Sequence, residues 1–108
     1  MNWTEALRKL FELQKLVDRK ADVVYEITQL QQDVDSAQKM YSSLRRRGLG
    51  LTDDRIVAAD AEIRRPVRKL QKLFQERRQL SMQIAQLVTE LEELMPRLDE
   101  PDFLPMSG

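Results

Sequence analysis

The chain of 108 residues contains no cysteine, no histidine, only three glycines and 6% aromatic residues. Without cysteine there is no disulfide frame, no thiolate metal site and no thiol nucleophile. Without histidine the commonest general base and metal ligand is missing, and the Glu-x-x-His signature of di-iron bundles cannot occur. Scarce glycine removes the phosphate-cradling loops: Gly48 and Gly50 lead into Leu51 and Thr52, with no Lys-Ser/Thr pair behind them. Long apolar runs are also missing. The longest uncharged helical stretch, Gln79 to Thr89, is too short and too rich in Gln to span a bilayer. Near the start, Glu5, Arg8, Lys9 and Glu12 break up the apolar core that a signal peptide needs. Glu90, Glu92 and Glu93 read as solvated carboxylates of a helix surface rather than metal ligands. These absences point to a non-enzymatic, cytoplasmic protein with no cofactor, no metal, no small-molecule substrate and no membrane partner.

What the chain has in quantity is charge, at 33%, and apolar residues, at 42%. That is the composition of long helices and coiled coils. The organising stretch is Ile56 to Leu98. Every seventh residue from Ile56 reads Ile63, Leu70, Arg77, Ile84, Leu91 and Leu98, and from Ala59 reads Pro66, Leu73, Leu80, Leu87 and Leu94. This is a heptad repeat with apolar residues at a and d. A stripe of that kind cannot be buried by its own helix.

The first half of the chain supplies the partner. Leu13, Leu16, Lys20, Val23, Ile27, Leu30, Val34, Ala37, Tyr41 and Leu44 follow one another at alternating gaps of three and four residues. A stop signal follows. Arg45, Arg46 and Arg47 suit the negative end of the helix dipole, Gly48 stands at the left-handed C′ position, and Leu49 can touch Leu44 as in a Schellman motif. The restart has Thr52 as the expected N-cap, Asp53 and Asp54 in the first turn, and Leu51 with Ile56 as a hydrophobic staple. At the chain start, Asn2 and Glu5 fit a capping box.

The expected fold is therefore all-α, a long antiparallel two-helix coiled-coil hairpin completed to a helical bundle by another chain. The hairpin spans residues 1–98, with helix 1 at about 3–47, a turn at 48–52, and helix 2 at about 53–96. Pro66 lacks an N–H and clashes with the carbonyl of Glu62, so a kink is expected there. Residues 99–108, with Pro101 and Pro105, read as an extended, flexible tail. In an antiparallel pair, facing core positions have residue numbers with a constant total. Leu44 opposite Ile56, Leu30 opposite Leu70 and Leu16 opposite Ile84 all total 100. Lys20 and Arg77 fall in adjacent layers and read as a register-fixing polar layer whose charged heads reach outward.

Two features go beyond a bare hairpin. The first is a second apolar stripe on helix 1, formed by Trp3, Leu7, Leu10, Val17, Ala21 and Val24 with Phe11 beside it. It is expected well away from the first seam, towards the opposite face. Helix 2 adds Val67, Phe74, Val88 and Met95 beside its own seam. One partner helix cannot cover all of this, so the open end of the hairpin is expected to pack against another chain, as a homodimer or a hetero-complex. The second is charge polarity. Residues 39–72 hold ten Lys/Arg and four Asp/Glu, a balance of +6, and the remainder holds eight and fourteen, a balance of −6. Arg45, Arg46, Arg47, Arg55, Arg64, Arg65, Arg68 and Lys69 make the turn end a basic tip. Such a tip suits an acidic protein surface or a nucleic-acid backbone. The expected work is that of a spacer, adaptor or small subunit of a protein assembly, with nucleic-acid binding by the arginine-rich tip as the alternative.

Overall fold

Two α-helices account for nearly all of the described chain. The computed structural model describes residues Trp3 to Asp99, with side chains as far as Met95. Helix α1 runs Trp3–Arg46 and helix α2 runs Asp54–Asp99, 44 and 46 residues long. No strand occurs among the described residues, and the fold is an all-α helical hairpin. No helix is long and apolar enough to cross a membrane. Asn2 of the expected capping box and the tail from Glu100 lie outside the described residues.

The turn follows from its residues. Gly48 adopts φ +87°, its N–H donates to the carbonyl of Arg45 at 2.9 Å, and the Leu49 N–H donates to that of Leu44 at 3.4 Å. These are the two reverse bonds of a Schellman motif, and they satisfy carbonyls that the end of α1 would otherwise leave bare. Arg45 adds a third link, its Nη1 donating to the Leu49 carbonyl at 2.9 Å. The start of α2 differs from expectation. Asp53, not Thr52, is the N-cap. Its Oδ1 accepts the Arg55 backbone N–H at 2.9 Å, and its carbonyl accepts the first helical bond, from Val57, at 3.0 Å. A carboxylate outcompetes a hydroxyl here because it also meets the positive helix end and the Arg55 guanidinium, at 3.3 Å. Pro66 interrupts no helix: α2 is continuous through it.

The chain divides into two compact units. In the turn unit, Asp22–Arg77, the heptad seam forms the core. Val23, Ile27, Ile56, Ala59, Leu70 and Leu73 are buried, and Leu30, Val34, Ala37, Tyr41, Leu44, Ile63 and Pro66 are half-buried. Arg77 departs from the seam. It is exposed, and its guanidinium lies 5.1 Å from the centre of the Phe74 ring, a cation–π contact. Val23, the expected neighbour of that position, is fully buried at 0% exposure, so the layer closes without the arginine. Where the seam narrows to Ala37 and Pro66 a groove of about 520 Å³ opens, lined also by Leu30, Asp33 and Met40 from α1 and by Glu62 and Lys69 from α2.

The terminal unit comprises residues 3–21 and 78–99 of the described chain. Here Ala6, Leu80 and Leu87 are buried, and Leu13, Leu16, Lys20, Ile84, Leu91 and Leu94 are half-buried. The seam reaches further than expected, because Ala6 and Lys9 continue its gaps of three and four ahead of Leu13. Alanine contributes little hydrophobic signal and lysine none, so the sequence pattern alone does not reveal this turn of core. Lys9 buries its stem and pairs its Nζ with Glu90 Oε2 at 2.7 Å. Gln86 donates to the other Glu90 oxygen at 3.4 Å. The Lys9–Glu90 pair fits the expected antiparallel register to within one residue.

Candidate interaction surfaces

The terminal unit leaves much of its apolar surface in solvent. Trp3 is 56% exposed and Phe11 72%, and Leu7, Leu10, Val17, Val88 and Met95 are exposed as well. Ala21 is also exposed. The placement of this stripe corrects one expectation. Leu7, Leu10, Val17 and Ala21 each follow a seam residue by one position: Ala6, Lys9, Leu16 and Lys20. One residue is a rotation of about 100° on an α-helix. The stripe therefore lies on a side flank of α1, not on its opposite face.

Helix α2 shares that flank. A groove of about 440 Å³ in the terminal unit is lined by Glu12 and Leu16 from α1 and by Gln83, Leu87 and Glu90 from α2. Glu12, Gln83 and Glu90 precede the seam residues Leu13, Ile84 and Leu91, so residues preceding the seam face one another on one side of the helix pair. Residues following the seam occupy the other side. These are Leu10 and Val17 on α1, and Val88 and Met95 on α2. The structure thus brings Trp3, Leu10, Val17, Val88 and Met95 onto one flank, with Leu7, Phe11 and Ala21 continuing it around α1. Met82, 69% exposed, is a further apolar side chain of this unit that heptad reasoning did not single out.

Three of the expected apolar residues belong to the turn unit, among them Val67, which is half-buried. Val24 is exposed there, and Phe74 is half-buried beneath the Arg77 guanidinium. Tyr25, at 65% exposure, was not anticipated.

The basic residues of the turn unit are exposed. Arg64, Arg65, Arg68 and Lys69 line a shallow depression of about 450 Å³ together with Lys72 and Ala61, all on α2. Helical spacing places Arg64 and Lys72 about 12 Å apart along the axis. Within the group, Arg64 is held by Asp60 at 2.8 Å, whereas Arg65, Arg68, Lys69 and Lys72 form no ion pair among the described residues. Arg45 is turned back onto the Leu49 carbonyl and Arg55 onto Asp53. Arg46 lines a separate hollow on α1 with Lys39, Asp35 and Ser42.

Among the described residues, Lys9, Glu90 and Asp53 are shifted from their ordinary values. The hydrogen bond to Glu90 raises Lys9, and the same bond lowers Glu90. The Arg55 side chain and then its backbone N–H lower Asp53. All three shifts accompany structural pairs. Among the described residues no group of three or more acidic side chains could hold a metal ion. Comparison with protein-family models, with curated proteins and with solved structures finds no match.

Proposed function

We propose that this protein is a non-enzymatic helical interaction module, acting as a spacer, adaptor or small subunit of a cytoplasmic multiprotein assembly. The observation that supports this reading is the apolar flank of the terminal unit, where Trp3 stays 56% and Phe11 72% exposed. Single surface hydrophobes are ordinary. A contiguous flank of seven or so, repeating at heptad spacing, is the surface of a helix that packs against other helices. The experiment is the solution mass of the whole chain, alone and with candidate partner chains, compared with a Leu7→Asp/Leu10→Asp variant. Both positions are exposed, so the variant keeps its helix content. Loss of association in the variant supports the reading. Association that survives both charges refutes it.

A second reading draws on the depression lined by Arg64, Arg65, Arg68, Lys69 and Lys72, four of which form no ion pair among the described residues. Such a surface suits a polyanion, either a nucleic-acid backbone or an acidic protein segment. No aromatic side chain lines it, so base stacking has no support there. Replacing Arg64, Arg65 and Arg68 by Gln should weaken binding to single-stranded RNA and flatten its salt dependence by about two to three released ions. Unaltered binding and salt slope would remove this reading.

A further inference from the structure

We infer that the apolar flank of the terminal unit is covered by a second copy of the same chain, with the two α1 helices antiparallel. The inference rests on the association reading above and names its partner.

The flank is large enough for a stable contact. Weighting the areas of Trp3, Leu7, Leu10, Phe11, Val17, Val88 and Met95 by their exposures leaves on the order of 700 Å² of accessible surface on one flank. A stable dimer needs about 800 Å² from each partner, whereas the largest apolar patch of an ordinary monomer is about 300–600 Å².

The order of side chains along the stripe is complementary to its own reverse. Within the terminal unit its positions are Trp3, Leu7, Leu10, Gln14, Val17 and Ala21, again at gaps of four and three. The bulky residues stand at one end and the small ones at the other. Reversing the stripe against itself pairs Trp3 with Ala21 of the second copy, Leu7 with Val17, and Leu10 with Gln14. All six positions are then used twice, large facing small, as interdigitation at native density requires. The Gln14 amide already donates one N–H to Asp18 at 3.0 Å, and its second N–H and Oε1 stay at the rim of the contact, within reach of water. Phe11, just outside the stripe, meets its own counterpart at the two-fold axis. Parallel pairing would set Trp3 on Trp3 and Ala21 on Ala21, overpacked at one end and hollow at the other. A surface complementary to its own reverse is what an isologous two-fold interface needs. The charged residues one position further round than the stripe are Arg8, Lys15 and Asp18, so the outer rim of the contact carries charges of both signs.

The chain has no cysteine, which gives the test a silent background. Leu7→Cys and Val17→Cys are made as separate single variants of the whole chain and oxidised alone and as an equimolar mixture. The expected result is a cross-link in the mixture and none with either variant alone, because like positions lie about 15 Å apart along an antiparallel pair. Cross-linking of each variant with itself means parallel pairing and overturns the proposal. No cross-link at all, with helix content intact, overturns it too.

Light scattering over a dilution series should give twice the 12.7 kDa chain mass. The emission of Trp3, the sole tryptophan, should shift to the red as the dimer dissociates. If the chain is monomeric with solvent-like Trp3 emission, the second copy is refuted while a different partner chain stays open. A monomer whose Trp3 emission turns solvent-like only when residues 100–108 are deleted shows the flank covered by its own tail, which refutes both this inference and the association reading.

Discussion

Gly48 and Gly50 stand two residues apart in the turn, and replacing each by alanine should have opposite effects. A Cβ on either glycine would meet no atom within 4 Å, so packing contributes nothing to the comparison. The backbone decides it. Gly48 holds φ +87°, a left-handed conformation, whereas Gly50 does not have a positive φ. Placing a Cβ in the left-handed region costs about 1–2 kcal/mol. Against that, any Gly→Ala change stiffens the unfolded chain and returns about 0.4–1 kcal/mol. Gly48→Ala should therefore destabilise by about 1 kcal/mol net, and Gly50→Ala should stabilise by about 0.4–1 kcal/mol. With roughly 4–8 °C per kcal/mol for a domain near this size, the two variants should differ in Tm by about 8 °C. The assay is thermal unfolding followed by circular dichroism, with all proteins at one concentration so that association does not shift the midpoint. Gly48→Asn should fall between wild type and Gly48→Ala, because asparagine tolerates the left-handed region. Equal midpoints for the two alanine variants would refute the Schellman turn as the device that ends α1.

Other expectations follow from the same structure. Pro66 sits inside a continuous α2, where proline costs about 3 kcal/mol, and its ring is only half-buried; Pro66→Ala should stabilise by about 1–2 kcal/mol in urea unfolding, and a loss would show that the ring packing outweighs the backbone cost. Ile56 is 2% exposed and its neighbour Val57 54%, so Ile56→Ala should cost about 2–5 kcal/mol and Val57→Ala less than about 0.5 kcal/mol in the same assay. Asp53 has a lowered folded-state pKa, so its contribution is present above the carboxylate range and lost as pH falls through it; acid should loosen the first turn of α2 in hydrogen exchange, and Asp53→Asn should remove that pH dependence. Lys9 carries a raised pKa and its partner Glu90 a lowered one, so the pair is lost when pH rises through the lysine value or falls through the glutamate value. Since Lys9 occupies a seam position, Lys9→Leu should raise the midpoint and abolish the alkaline part of that dependence; a lowered midpoint would mean the ion pair contributes more than burial does.

Much of the hairpin was legible because its determinants are local. The heptad spacing of Ile56 to Leu94, the Arg45–Gly48–Leu49 stop and the acidic restart each act within one or two helical turns. The misreadings lie where the local signal is weak or two local options compete. Thr52 and Asp53 are both competent N-caps, and the positive helix end together with the Arg55 guanidinium favours the carboxylate. Arg77 occupies a heptad position, yet its charge is better placed over Phe74 in solvent than in a dry seam. Ala6 and Lys9 carry no apolar signal, so the last turn of the terminal core emerged only when α2 came to lie over it, with Glu90 in reach of Lys9.

The sequence by itself determined which residues share a helix face, where α1 stops and α2 starts, and the antiparallel register. Side-chain period, capping and loop length are properties of neighbouring residues, and no distant contact is needed to specify them. Only the tertiary structure decided which of the remaining faces stays uncovered. A helix presents every azimuth equally until another helix lies against it. Once α2 covers the seam, the stripe one residue further round, from Trp3 to Ala21, becomes a side flank, joined by Val88 and Met95 and left open to solvent.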